Sequence, residues 1–143
     1  MTEADLIRDI AARTRAIAVV GLSPRPDRPS HGVAAFLQRA GYRIVPVNPR
    51  HVGERILGEE VFADLAGLPD PGAIDMVDIF RRPAEVPPVV DQALAHLPNL
   101  RTVWMQLGIA HPAAAAAARA RGVDVIENRC PAIEWPPLLA RRG

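Results

Sequence analysis

The chain has 143 residues, of which 49% are hydrophobic and 23% charged; that length and balance fit one domain over residues 1–143 with its own hydrophobic core, and argue against disorder. Seventeen arginines against sixteen acids leave a net charge of +1, too little for the broad basic face that nucleic-acid backbones demand, so nucleic acid is not an expected partner. The only cysteine is Cys130, which rules out an internal disulfide and a cysteine zinc site.

Met1 to Ala12 interleaves Glu3, Asp5, Arg8 and Asp9 with apolar residues, unlike the continuous apolar core of a secretory leader. No run approaches the ~20 apolar residues that span a bilayer, so no membrane association is expected and the default address is the cytoplasm. Thr2 and Asp5 have the spacing of a capping box and predict a first helix to about Thr14. Ala16 to Gly21 is a short apolar run closed by glycine, the pattern of a buried parallel strand. Leu22 to Ser30 has three prolines and no apolar period. It predicts a loop, with Ser30 as N-cap of a helix from His31 to Ala40 closed by Gly41. Arg43 to Val47 predicts a second strand, stopped by Asn48-Pro49-Arg50. The segment through Leu57-Gly58 is expected to be irregular, with a short helix near Val61 to Ala66.

Asp75 to Phe80 reads as a third strand, and a helix follows between Pro83 and Leu97, where Pro87 and Pro88 are tolerated only in the first turn. Thr102 to Gln106 predicts a fourth strand, Ala113 to Arg121 an alanine-rich helix ended by Gly122, and Val123 to Ile126 a fifth strand. No internal repeat or linker divides the chain. Alternating strands and helices, joined by right-handed crossovers, imply an α/β fold: a Rossmann-like doubly wound parallel sheet of about five strands with helices on both faces. Ligands of such sheets bind beyond the carboxyl ends of the strands.

The turn after the first strand is therefore the first candidate site. Amides at the following helix start, with Ser23, Ser30 and one or both of Arg25 and Arg28, suit a pyrophosphate; the alternative is a connection merely stiffened by proline. Every basic side chain is Arg, so a Schiff-base lysine, a Walker A lysine and a lysine base are excluded. The dinucleotide fingerprint would place glycines where Ser23 and Pro26 stand, and only Gly21 fits. An acid would normally end the second strand of an NAD site, whereas Asn48-Pro49-Arg50 stands there. An arginine at that point suits a phosphate on the ribose, as in NADP or coenzyme A.

Five motifs occur in order at the strand ends: Val19-Val20-Gly21-Leu22-Ser23 with Pro26-x-Arg28-Pro29-Ser30; Val45-Pro46-Val47-Asn48-Pro49; Asp75-x-Val77-Asp78-Ile79-Phe80-Arg81-Arg82-Pro83; Trp104-Met105-Gln106-x-Gly108-Ile109; and Glu127-Asn128-Arg129-Cys130. Together they resemble the small stand-alone CoA-binding proteins, which are similar to the nucleotide-binding domain of the succinyl-CoA synthetase α-subunit. The resemblance implies coenzyme A or an acyl-CoA as the small-molecule partner. It places the phosphates on Gly21, Leu22, Ser23, Arg25, Arg28, Ser30 and His31, and the adenosine beside Val47, Asn48, Pro49 and Arg50. Phe80, Arg81, Arg82, Gln106, Gly108 and Cys130 would line the rest of the same cleft. The synthetase's ligase activity is not expected, because its phosphorylated histidine lies in a further domain and its ATP-grasp partner is a separate subunit.

His31 opens a helix beside the expected phosphates, whereas His51, His96 and His111 read as solvated, capping or packing residues, and no metal site is expected. Cys130 is either an inert buried thiol or a pocket thiol facing the thiol of CoA and able to form a mixed disulfide with it. Trp104 and Trp135 read as core or oligomer-contact residues, and Asp75 and Asp78 as strand-border acids without an assigned partner. No complete catalytic constellation is visible, so a non-catalytic binding module is expected. An NADP- or other nucleotide-dependent enzyme and a ligand-free scaffold remain the alternatives, a homodimer is compatible with base rates, and no protein partner is indicated.

Overall fold

A computed structural model describes residues 1–139. Thr2 and Asp5 close a reciprocal capping box, each side chain accepting the other residue's backbone N–H at 3.1 Å, and this starts helix α1 (Glu3–Arg13) where expected. Strand β1 (Ala16–Val20) is buried at every residue. Its side chains alternate between two apolar layers, Ala18 and Val20 on one face and Ile17 and Val19 on the other.

Helix α2 (Pro29–Arg39) begins two residues before the expected start, with Arg28 at its cap position and Pro29 in the first turn. Proline's fixed φ and missing N–H favour it there, so Ser30 lies inside the helix and is not its cap. Strand β2 (Arg43–Val47) has its expected bounds. The segment expected to be irregular contains a two-stranded hairpin, β3 (Arg55–Ile56) and β4 (Glu59–Glu60). Leu57 and Gly58 turn it at φ 54° and 80°, and a leucine is a poor advertisement for a turn that usually recruits Asn or Gly. Gln38 Nε2 secures it by donating to the Leu57 carbonyl at 2.9 Å. The helix expected over Val61 to Ala66 is only a 3₁₀ turn, Leu65–Gly67, capped by Asp64.

Strand β5 (Met76–Ile79), helix α3 (Val86–His96), strand β6 (Thr102–Met105), helix α4 (Pro112–Ala120) and strand β7 (Asp124–Ile126) continue the alternation. Pro87 and Pro88 fall in the first turn of α3, as their missing N–H groups require. Two four-residue helices, α5 (Pro131–Glu134) and α6 (Pro136–Leu139), were not expected.

The five long strands pair in parallel in the order β2-β1-β5-β6-β7, giving the Rossmann-like doubly wound sheet. Residues of α1, α2 and the C-terminal turns cover one face and those of α3 and α4 the other. Trp104 and Trp135 are both core residues, fully buried and in edge contact at 5.7 Å. The strand order reverses between β1 and β5, where connections leave the sheet edge in opposite directions and open a crevice. Among the described residues no helix is long and apolar enough to cross a membrane.

Candidate functional site

A cavity of about 1110 Å³ lies beyond the carboxyl ends of the strands. Gly21 leaves β1 at φ 89°, a conformation glycine adopts readily, and donates its N–H to the Val47 carbonyl at 2.8 Å. The loop then ties itself down. Ser23 N–H donates to Ser30 Oγ at 3.0 Å and Arg25 N–H to Ser23 Oγ at 3.1 Å. Asn48 joins the ends of β1 and β2: its Nδ2 donates to the Leu22 carbonyl and its Oδ1 accepts the Arg50 N–H, both at 3.0 Å. The sequence placed both serines at a phosphate; the structure shows their oxygens shaping the loop that would receive it.

Arg28, Pro29, Ser30 and Val33 bring the first turn of α2 into the cavity wall. No side chain caps this helix, whereas Thr2 caps α1 and His111 caps α4. Pro29 has no N–H and the His31 and Gly32 amides donate to the Arg28 carbonyl at 3.1 and 3.3 Å, so this helix start offers an anion the Ser30 amide and the positive end of its dipole. Arg25, Arg28, Arg50, Arg81 and Arg82 line the cavity, against a single lining carboxylate, Glu85. Arg25 meets the exposed Asp27 at 3.2 Å, and Arg82 meets Glu85 at 3.6 Å. The Arg82 guanidinium beside it holds the Glu85 carboxyl below its ordinary range. Among the described residues Arg28, Arg50 and Arg81 make no ion pair.

The far end of the cavity is built by the loops after β6 and β7. Asn128, at φ 57°, accepts the Gly108 N–H at 2.7 Å, and Trp104 Nε1 donates to the Arg129 carbonyl at 2.7 Å. Gln106 is 5% exposed and its Oε1 has no hydrogen-bond partner among the described residues. Cys130 is a free thiol, 6% exposed. On the same face of the sheet, two residues below the level of Gln106, Asp78 aligns with Trp104 and is fully buried, with neither carboxylate oxygen hydrogen-bonded among the described residues. Burial pushes its carboxyl well above the usual range. Asp75 differs: it accepts the N–H groups of Arg15 and Ala16 and so anchors the start of β1.

Thirteen of the sequence-predicted residues line this one cavity: Gly21, Ser23, Arg25, Arg28, Ser30, Asn48, Arg50, Phe80, Arg81, Arg82, Gln106, Gly108 and Cys130. Four do not. Leu22 is wholly buried in the apolar layer and contributes only its carbonyl to the loop. Val47 and Pro49 line an adjoining pocket of about 290 Å³ that shares Arg81 with the main cavity. His31 sits on a different face of α2, because Pro29 and Val33, one turn apart, are the residues facing the cavity. His51, read as peripheral, instead lines the cavity with its Nδ1 2.9 Å from Glu54 Oε2. Its place directly after Arg50 was the available signal. Among the described residues no group of three His, Cys, Asp or Glu side chains could hold a metal ion.

The family model described as "CoA binding domain" matches residues 15–136. The uncharacterized protein YneT of Bacillus subtilis is 38% identical over 124 residues, covering 87% of each chain. The solved structure of cell-free ID.343 from Thermus thermophilus is 36% identical, with a TM-score of 0.86 over 96% of this chain and 99% of that one. A hypothetical protein from Pyrococcus horikoshii OT3 is 33% identical, with a TM-score of 0.87 over 97% and 93% of the two chains.

Proposed function

The chain belongs to the CoA-binding domain family, and from that premise we propose that it binds coenzyme A, free or acylated, in the large cleft as a binding module without chemistry of its own. The observation that carries this reading is the five arginines that line the cleft together with the uncapped start of α2, three of them without an ion pair among the described residues. A ligand with a pyrophosphate and a separate ribose phosphate would neutralise them. Arg28 and the start of α2, with its Ser30 amide and dipole, suit the pyrophosphate, and Arg50, beyond β2, suits the phosphate on the ribose. NADP shares that phosphate, and the family favours CoA over it.

Engagement of the polar groups in the cleft supports a non-catalytic role. The oxygens of Ser23 and Ser30 accept backbone amides, His51 faces Glu54, and Glu85 faces Arg82. None of these pairs joins a nucleophile to a base.

Isothermal titration of the ligand-stripped protein with CoA, beside NADP, NAD and ATP, tests the reading. Selective micromolar binding of CoA, ~−8 kcal/mol, is the expected result. A preference for NADP, or no CoA binding at all, would restrict the family relationship to the fold.

A further inference from the structure

Asp78 sits under the floor of the cleft. It pairs in register with Val19 of β1 and Trp104 of β6, and two residues beyond Val19, Asp78 and Trp104 stand Gly21, Phe80 and Gln106, which all line the cleft. Two residues of a parallel strand advance roughly 6.6 Å, so a single step of backbone separates Asp78 from that floor. Asp78 is fully buried, and neither of its oxygens is hydrogen-bonded among the described residues. The indole N–H of the adjacent Trp104 is committed to the Arg129 carbonyl. In the apolar layer on this face of the sheet the titratable groups, among the described residues, are the Tyr42 phenol and the Cys130 thiol. Charges stand at its margins: the five cleft arginines and Glu85 above, the Arg13–Asp124 pair beside Thr102 below, and the Glu3–Arg129–Glu134 cluster outside the C-terminal turns. An ionised carboxyl in this position has neither donors nor a paired cation among the described residues, so burial favours the neutral acid.

We infer that Asp78 couples the cleft to a proton: the site holds coenzyme A with Asp78 neutral and loses affinity as Asp78 ionises. The inference rests on the CoA reading of the cleft. Two electrostatic effects act in the same direction. A charge on Asp78 would face the ligand's phosphates through an apolar layer of low dielectric, where water and salt screen it less than at the surface. In the free protein the cleft arginines favour that charge, and phosphates bound on those arginines neutralise them and withdraw the support. The complex therefore keeps the Asp78 proton to a higher pH than the free protein does. Between those two values binding takes up a proton from solvent at Asp78, and by reciprocity a rise in pH through that range weakens binding.

The test measures CoA affinity by calorimetry from pH 5 to pH 9 on the ligand-stripped parent and on Asp78→Asn. Each titration is run in two buffers of different ionisation enthalpy, which gives the protons taken up on binding. Titration of the ligand's own phosphates is common to both proteins and cancels in the comparison. The ratio of parent to variant affinity should fall at least about fivefold across this range, with additional proton uptake in the parent alone. Carbon-13 NMR of the aspartate carboxyls follows the same proton in the unaltered protein and decides the matter if Asp78→Asn does not fold: the midpoint of the Asp78 titration should rise on CoA binding. An affinity ratio constant with pH, or a carboxyl that titrates alike with and without CoA, would overturn the inference and leave the CoA site standing. If neither protein binds CoA at any of these pH values, the CoA reading fails and the inference with it.

Discussion

A Cβ placed on Gly21 would lie 2.3 Å from the carbonyl oxygen of Phe80. The backbones leaving β1 and β5 thus pass each other, at the point where the strand order reverses, with no room for a methyl group. Both segments line the cleft, so the fold's tightest glycine position is also part of the candidate site.

Gly21→Ala combines that clash with a positive φ, and one strand end must move to relieve it. Gly53, at φ 84° with nothing within 4 Å of a built Cβ, isolates the conformational cost alone, roughly 1–2 kcal/mol. Urea unfolding should show Gly21→Ala to be clearly more destabilised than Gly53→Ala, and CoA binding should fall only in the former. Equal losses in the two variants would mean that the Phe80 contact yields at no cost.

Arg28→Ala and Arg50→Ala should each weaken CoA about tenfold to a hundredfold, the range for a charge-assisted hydrogen bond. Neither guanidinium has an ion pair among the described residues, so the melting temperature of the unliganded protein should barely move. CoA lacking its ribose phosphate separates the roles: Arg50→Ala should leave its affinity unchanged, whereas Arg28→Ala should still reduce it. Full CoA affinity in both variants would show the phosphates to be placed wrongly.

Asn48→Ala removes two hydrogen bonds at once and leaves the Leu22 carbonyl without its side-chain donor. A loss of about 2–3 kcal/mol in chemical unfolding is expected, together with weaker CoA binding as the loops after β1 and β2 part. Unchanged affinity at reduced stability would show that the loop keeps its shape without this tie.

Asp78 sets the sign of a pH effect. Burial raises its carboxyl in the folded state, so the folded protein keeps a proton that the unfolded chain releases near pH 4. Its contribution to stability is full below that point and declines as pH rises toward the folded value, by up to ~1.4 kcal/mol per pH unit. Asp78→Asn cannot ionise. Denaturant unfolding at pH 4, 6 and 8 should show the stability of Asp78→Asn relative to the parent rising with pH. A constant difference would mean that Asp78 shares the same proton occupancy in both states throughout this range.

Much of this molecule is legible in local sequence. Largely apolar runs mark the five long strands, because a strand buried on both faces is mostly apolar; Asp78 in β5 and Thr102 in β6 are the buried polar exceptions. Thr2 with Asp5, and Gly122 after the alanine-rich segment, mark helix ends because capping needs only neighbours in the chain. Signals weakened where the residue present was not the usual one: Leu57 in the hairpin turn hid β3 and β4, and Ser30 resembled a cap while Pro29 had already started the helix.

The candidate site was partly legible for a related reason. A doubly wound sheet gathers the loops at its carboxyl edge, so residues following strands could be assigned to one cleft from their order alone. Their orientation within it could not. His31 and Val33 stand two positions apart on α2, and only the rotation imposed by a start at Pro29 turns Val33 into the cleft and His31 away. Sequence alone determined the fold class and which loops meet, since both follow from the order of apolar runs and turns. Tertiary structure decided what those loops can hold: the solitary Gln106 acceptor, the unbonded Asp78 and the neighbouring Cys130 acquire their character from side chains distant in the chain, which no local pattern encodes.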